Sequence, residues 1–281
     1  MMDQSRHLQD PLRPPPLRRP WRWWQISLVV LGAAVLIGGL TGFGLLWHFS
    51  KDLPALDQLG TYQPSLVTQV YSSDQRLIGQ FFIERRILTP VGEIPERLRR
   101  AVIAVEDVRF FEHPGLDYIG MLRAAWMNLR RGGKVEGAST ITQQLARSLF
   151  LSSERTFDRK VRELILAYKM ELVLTKEQIL ELYLNQIYFG QGAYGVASAA
   201  QTYFGKDLSA LTVGESAFLA GLPKSPNHYS PFKAYDRAKQ RQEHVLARME
   251  EAKFLTTAER EQAAAEILNF RRPGAEQAAP Y

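Results

Sequence analysis

The chain has 281 residues, 46% apolar and 23% charged, which is enough for one large folded unit or two modest ones. It contains no cysteine, and this excludes disulfides, a thiolate nucleophile and any cysteine-bound metal. A net charge of +6 leaves nucleic acid, an anionic membrane surface and a phosphorylated substrate open as partners.

Residues 1–22 read as a disordered tail, with Pro14, Pro15 and Pro16 in a row and arginines at positions 6, 13, 18, 19 and 22. Residues 23–49 follow as a transmembrane signal anchor. The stretch from Trp23 to Ser50 contains no Asp, Glu, Lys or Arg. Its centre, Ile26 to Trp47, would rise about 33 Å as a helix, against a hydrocarbon core of about 30 Å. Trp21, Trp23 and Trp24 at one end and Trp47 at the other suit the two interfaces. The arginine-rich tail places the N-terminus in the cytoplasm and the rest of the chain outside. A cleaved signal peptide fits less well, because the apolar run is long and no small-x-small site follows it.

Residues 50–94 are expected to hold a linker and a β-hairpin. Leu66–Tyr71 and Arg76–Ile83 flank the turn Ser72-Ser-Asp-Gln75, and this is the one β element predicted. Residues 95–268 are expected to form a helical domain, and 269–281 a patternless C-terminal tail. Pro95 suits a first helical turn, and Leu98, Ala101, Val102 and Val105 form an apolar stripe after it. A second helix is predicted over Asp117–Arg131, with Leu122, Ala125, Trp126 and Leu129 on one face. Met121, Trp126 and Met127 beside Arg123, Arg130 and Arg131 leave it two roles, as a core helix or as one lying in a membrane interface. Later helices start at capping boxes: Thr175 with Gln178, Thr212 with Glu215, and Thr256 with Glu259. The helix after Thr212 should stop at Gly221-Leu-Pro223.

Three segments concentrate polar residues that helix formation does not require. In the first, Ala101–Val105 leads straight into Glu106 and Asp107, with Phe110, His113 and Gly115 behind them. In the second, Gly137–Leu151, Ser139 can cap a helix whose Ile141, Leu145 and Leu149 face inward. Thr140, Gln143, Gln144 and Arg147 then lie on its other faces. In the third, Arg159, Lys160 and Glu163 are neighbours on one helical surface, two cations over one carboxylate. Each has a plainer reading: a surface ion pair, solvated glutamines, a histidine that caps a turn.

Together these segments resemble the signature motifs of the family-51 peptidoglycan glycosyltransferases. That family comprises the lysozyme-like domain of class A penicillin-binding proteins and the monofunctional transglycosylases. Lys176 to Asn185, Ile187-Tyr-Phe-Gly190, Ala199 to Lys206, Leu211 to Ala217 and Leu219 to Pro226 extend the likeness, which covers about Leu53 to Ala265 in order. The resemblance implies a mainly α, lysozyme-like domain with a small N-terminal β-hairpin and one N-terminal transmembrane helix. The implied reaction polymerises lipid II into β-1,4-linked glycan with release of undecaprenyl diphosphate, inverting the anomeric centre.

The resemblance assigns Glu106 as the base for the acceptor hydroxyl and Glu163 as the second catalytic glutamate. A diphosphate leaves unprotonated and needs cations, and Arg147, Arg155, Arg159 and Lys160 are of the right type. Asp107, Phe110, His113, Ser139, Thr140, Gln143 and Gln144 are the other substrate-binding candidates. No residue is assigned to a metal, although a divalent cation, Mg2+ or Mn2+, could sit at the diphosphate. The implied partners are lipid II, the growing glycan strand and membrane lipids, with other cell-wall synthesis proteins as further candidates and no nucleic acid.

The competing activity is cleavage of glycan by a lysozyme-like hydrolase or lytic transglycosylase. That chemistry expels a sugar alkoxide and needs a protonated carboxylic acid, a role that a glutamate beside Arg159 and Lys160 does not suit. Tyr188, Tyr194, Tyr203 and Phe204 are candidates for stacking on sugars. The family often has Lys-Asn where this chain has Arg147-Ser148, and arginine keeps the charge. Ser230 to Lys233 fits Ser-x-x-Lys only by accident and no Lys-Thr-Gly is present, so no transpeptidase is expected in this chain. The hairpin stretch resembles the entry segment of the class A proteins more than monofunctional enzymes, and the C-terminal end resembles the point where class A proteins leave the glycosyltransferase domain; a truncated class A sequence is expected, with a naturally short enzyme as the alternative.

Overall fold

A computed structural model of the chain describes residues 22–51, 53, 68–71, 77–81, 85–131, 139–151, 154 and 156–271. The chain divides into two units, one ending at His48 and the other starting at Phe49. The first is built on α1, Trp23–Ser50, whose side chains are apolar on every face and exposed almost throughout. Among the described residues, α1 is the one helix long and apolar enough to cross a membrane. An all-round apolar surface suits lipid and not water.

In the second unit, β1 (Thr68–Tyr71) and β2 (Leu77–Phe81) pair antiparallel, Thr68 opposite Phe81, with a bulge at Val70/Tyr71. The predicted turn between them lies outside the described residues. β3 (Arg85–Arg86) joins a separate three-stranded sheet with β4 (Tyr188–Gly190) and β5 (Ala193–Tyr194), in the order β3-β5-β4. This second sheet corrects the expectation that the hairpin is the only β element. Its strands are too short to show a period of two, and its turn depends on backbone geometry: Gly190, Gln191 and Gly192 all have positive φ.

The rest is helical. α2 (Glu96–Glu106) begins at Pro95 and buries Leu98, Ala101, Val102, Ile103 and Ala104, so it is enclosed on more than the predicted stripe. α3 (Tyr118–Arg131) follows, and Asp117 accepts the Gly120 N–H at 2.8 Å to close its first turn. Then come α4 (Ile141–Phe150), α5 (Phe157–Val173), α6 (Lys176–Gln186) and α7 (Val196–Phe204). α8 (Val213–Gly221), α9 (Tyr235–Glu251) and α10 (Thr257–Ala265) complete the set. All three predicted capping boxes form, with both reciprocal hydrogen bonds in place, each contributing about 1 kcal/mol to its helix.

Two helix groups organise the core. α2 packs on α8 and α9, while α4 packs on α5 and α6. Gly214 to Gly221 of α8 are all buried. Tyr203 and Phe204 are buried in an aromatic cluster with Phe218, Phe232 and Phe270, which removes them from the sugar-stacking candidates. Tyr188 and Tyr194 stay half-buried and pack on each other at 4.8 Å. α3 does the reverse of a core helix: Ile119, Leu122, Trp126 and Leu129 are 64, 73, 62 and 78% exposed, and Ala124 on another face is buried. An apolar stripe at helical spacing therefore faces outward.

Candidate active site

Glu106 is the last residue of α2, and Asp107 beyond it leaves helical geometry with φ −161° and ψ 77°. The carboxylate lies where the two helix groups meet, because Gln144 of α4 donates its Nε2 to Glu106 Oε2 at 2.7 Å. Burial pushes the Glu106 carboxyl above the ordinary glutamate value. The Gln144 hydrogen bond and then the charges of Arg241, Lys224 and Arg147 pull it back without cancelling the effect. The side chain is half-buried and still reaches solvent.

Glu163 of α5 is fully buried, yet it is ringed by cations. Lys160 Nζ donates to Glu163 Oε1 at 2.5 Å, to Ser139 Oγ at 3.0 Å and to Gln143 Oε1 at 3.1 Å. Arg159 Nη1 lies 3.5 Å from the other oxygen of Glu163. Ser139 is therefore not the cap of α4, contrary to expectation. Thr140 caps it, accepting the Gln143 N–H at 3.2 Å, and leaves the Ser139 hydroxyl to Lys160. Gln143 is also not a solvated glutamine, being 1% exposed. A divalent cation does not fit at Glu163, since both oxygens already face cationic N–H groups. Among the described residues, no three His, Asp or Glu side chains cluster as metal ligands.

Adjacent residues of α4 thus serve the two carboxylates: Gln144 holds Glu106, and Gln143 holds the lysine that holds Glu163. Two more buried donors of these residues have no acceptor among the described residues, Gln143 Nε2 and Arg159 Nε. Buried unmet donors are costly and are normally answered by an oxygen-rich ligand or water.

Asp107, Phe110, His113 and Thr140 are better described as the frame of this site than as its contact surface. His113 Nε2 lies 2.9 and 3.1 Å from the two oxygens of Asp107, and Asp107 also accepts the Ile141 N–H of α4 at 3.1 Å. Thr140 Oγ1 donates to the Gly115 carbonyl at 2.6 Å. Gly115 has φ +83°, and a Cβ there would lie 2.9 Å from Glu171 Cγ, so only glycine fits. Phe110 is completely buried with Lys176 Nζ 4.5 Å over its ring. The same Lys176 Nζ donates to the His113 carbonyl and to Glu171, each at 2.7 Å. Side chains so enclosed set the loop and the start of α4.

The profile of the family described as Transglycosylase matches residues 74–250, which include all of these groups. The chain belongs to that family. Penicillin-binding protein 1A of Neisseria cinerea is 50% identical over 244 residues, covering 87% of this chain and 30% of that protein. Penicillin-binding protein 1A of Rickettsia felis is 46% identical over 233 residues, covering 82% and 29% respectively. The solved structure of penicillin-binding protein 1A from Haemophilus influenzae matches with a TM-score of 0.45 at 27% identity, covering 76% of this chain and 22% of that one. The chain spans about 30% of the length of the relatives it matches.

As a transglycosylase, the chain is a glycosyltransferase, and its site contains residues that sequence reading did not single out. Tyr183 of α6 donates its hydroxyl to Gln144 Oε1 at 3.3 Å. Arg241 of α9 and Lys224, in the turn after α8, contribute charge at Glu106. Arg241 also donates to the Gly221 carbonyl at 3.0 Å and lies over the Tyr229 ring. Tyr183 and Lys224 fall inside the stretches Lys176–Asn185 and Leu219–Pro226 that extend the resemblance, but neither is picked out within them, and all three meet the site through tertiary packing. Arg147, on α4 beyond Gln144, is near enough for its charge to be felt at Glu106. Arg155 lies outside the described residues.

Proposed function

We propose that this transglycosylase polymerises lipid II into β-1,4-linked glycan at the outer face of the inner membrane, releasing undecaprenyl diphosphate with inversion. The observation that carries the reading is the pair of carboxylates in opposite surroundings. Glu106 is made a stronger proton acceptor by burial, while Glu163 is surrounded by cations, and adjacent amides of α4 join the two. Such a division of environments is how one site separates two roles.

Glu106 takes the proton of the acceptor 4-hydroxyl as its oxygen attacks the donor's anomeric carbon. The bond from that carbon to the diphosphate breaks, and the electron pair leaves on the phosphate oxygen. Lys160 and Arg159 take up that charge, with Arg147 and Arg155 as further candidates and Ser139, Gln143 and Gln144 lining the site. Attack opposite the leaving group turns an α-linked donor into a β-linked product. Asp107, Phe110, His113 and Thr140 act as positioning residues.

Burial of Glu106 also favours a second reading, glycan cleavage with Glu106 as a general acid, since a raised value suits that role equally. The Gln144 N–H at Glu106 Oε2 is compatible with both readings, because a protonated Glu106 can carry its proton on Oε1 and still accept at Oε2. Incubating the protein separately with lipid II and with finished glycan decides between them. Polymer from the first is expected, and anhydro-sugar or reducing-end fragments from the second would overturn the proposal.

The substrate's polyprenyl tail stays in the bilayer, and the outward stripe of α3 supports a matching placement of this unit against the membrane interface, flanked by Arg123 and Arg130. The arginine-rich residues 1–22 favour a cytoplasmic N-terminus and an extracytoplasmic catalytic domain. Leu122→Glu combined with Leu129→Glu is expected to lower kcat/KM on bilayer-embedded lipid II at least about tenfold, since each leucine loses its apolar burial. Tm should not move, because both side chains are more than 70% exposed. Unchanged kcat/KM would remove α3 from the membrane contact.

A further inference from the structure

Glu96, Arg99, Arg100 and Ile103 recur at the three- and four-residue spacing that brings side chains onto one side of α2. With residues of the loop that follows, Leu180 of α6 and Phe254 after α9, they enclose a cavity of about 360 Å³. Glu106, Glu163 and the side chains that hold them do not line it, so it is separate from the candidate active site. Its apolar lining is continuous with the core at Ile103 and Leu180, which are buried, and reaches the surface at Phe111, which is 56% exposed.

Three arginines share this cavity, and they are not equivalent. Arg100 Nη2 lies 2.5 Å from Glu96, and its guanidinium stands 5.6 Å over the Phe254 ring. Arg109 pairs with Asp117, and its Nε lies 3.9 Å from Glu112. Arg99 has no such carboxylate: among the described residues it forms no ion pair, and its buried Nε meets no acceptor. An unmet buried donor on a charged group is costly, and an incoming carboxylate could answer it with either oxygen. The anions are arranged the other way. The side chains of Glu96 and Glu112 are 63 and 67% exposed, so the negative charge stands in solvent while the unmatched positive charge is drawn inward.

We propose that this cavity is the docking site for a peptide segment of a partner protein, one that carries an acidic side chain between apolar ones and basic residues on its flanks. The acid meets Arg99, the apolar neighbours cover Phe111 and Phe254, and the flanking cations meet Glu96 and Glu112. An anionic bilayer fits less well, because it would bring its phosphates onto those two exposed carboxylates. A small free acid would answer Arg99 and leave the carboxylates unmatched. Ile103 lies one turn before Glu106 on α2, so a partner seated here stands against the helix that carries the candidate base.

The probe is the capped, fluorescein-labelled peptide Lys-Leu-Asp-Leu-Lys, whose palindromic order lets it lie in either direction. It is titrated against the full chain in phosphatidylcholine nanodiscs and followed by fluorescence anisotropy. Lys-Leu-Asn-Leu-Lys removes the acid, and Lys-Gly-Asp-Gly-Lys removes the apolar neighbours. Saturable binding of the first peptide below about 1 mM is expected, weakened on the order of tenfold in either control. Arg99→Gln should weaken the first peptide by the same factor and leave the Asn peptide unaffected, since the two changes remove one contact. Thermal melts should not move, because Arg99 has no partner to lose. No saturable binding, equal binding of the three peptides, or unchanged binding in Arg99→Gln would overturn the proposal. So would displacement of the labelled peptide by octanoate, or by phosphatidylglycerol vesicles, as effective as that by unlabelled peptide, which would assign the cavity to a free acid or to lipid.

Discussion

Glu106→Gln is expected to abolish polymer formation from lipid II and, at the same time, to make the protein more stable. General-base catalysis contributes on the order of 10²–10⁴ in rate, and glutamine keeps the size and the acceptor oxygen while losing the basicity. The second effect follows from linkage. Burial raises the Glu106 carboxyl above its unfolded value of 4.5, so the folded chain binds this proton more tightly than the unfolded chain does. The stability this group contributes is complete below the unfolded value and is lost as pH rises through the higher folded one. Glutamine carries no such penalty. The difference in Tm between variant and parent should be near zero around pH 4 and grow to about 2 °C or more near neutrality. Near-normal polymer from the variant would remove Glu106 as the base, and a Tm difference independent of pH would contradict its electrostatic strain.

Glu163→Gln is expected to act in the opposite direction on stability and in the same direction on turnover. Glu163 is fully buried, and removing its charge leaves Arg159 without its carboxylate and Lys160 with only Ser139 and Gln143. Breaking a fully enclosed ion pair costs about 3–5 kcal/mol, but the Lys160 side chain is 40% exposed and water screens it. A loss nearer 1–2 kcal/mol is appropriate, with a fall in Tm of about 3 °C or more. Turnover should slow by about 10² or more, because the cations that meet the departing diphosphate are no longer held in place. A variant that melts early but turns over normally would leave Glu163 as a structural residue. Opposite shifts in Tm from two Glu→Gln changes in one site separate a group strained by its surroundings from one satisfied by them.

Much of this was legible in the residues because it is local. The three threonine capping boxes, the stop at Gly221 and the grouping of Arg159, Lys160 and Glu163 all depend on neighbours within one helical turn. Ser139 shows where local reasoning gives out. Ser139 and Thr140 are equally good caps in isolation, and the choice is made by Lys160 and the Gly115 carbonyl, which come from elsewhere in the chain. Periodicity found the stripe on α3 but could not say whether protein or membrane lies opposite, since both demand the same spacing. Phe110 and His113 were recognisable as special, and packing shows what they touch, Lys176 over the Phe110 ring and Asp107 against His113.

The adjacency of Gln143 and Gln144 makes the two halves of the reaction share one register. An α-helix turns about 100° per residue, so an insertion between Gln143 and Gln144 would swing one amide by that angle relative to the other. Either Glu106 or Lys160 would lose its amide, and no compensating shift along the axis could restore both. The distance between proton acceptor and charge acceptor is therefore written in the pitch of a helix and not in the length of any loop.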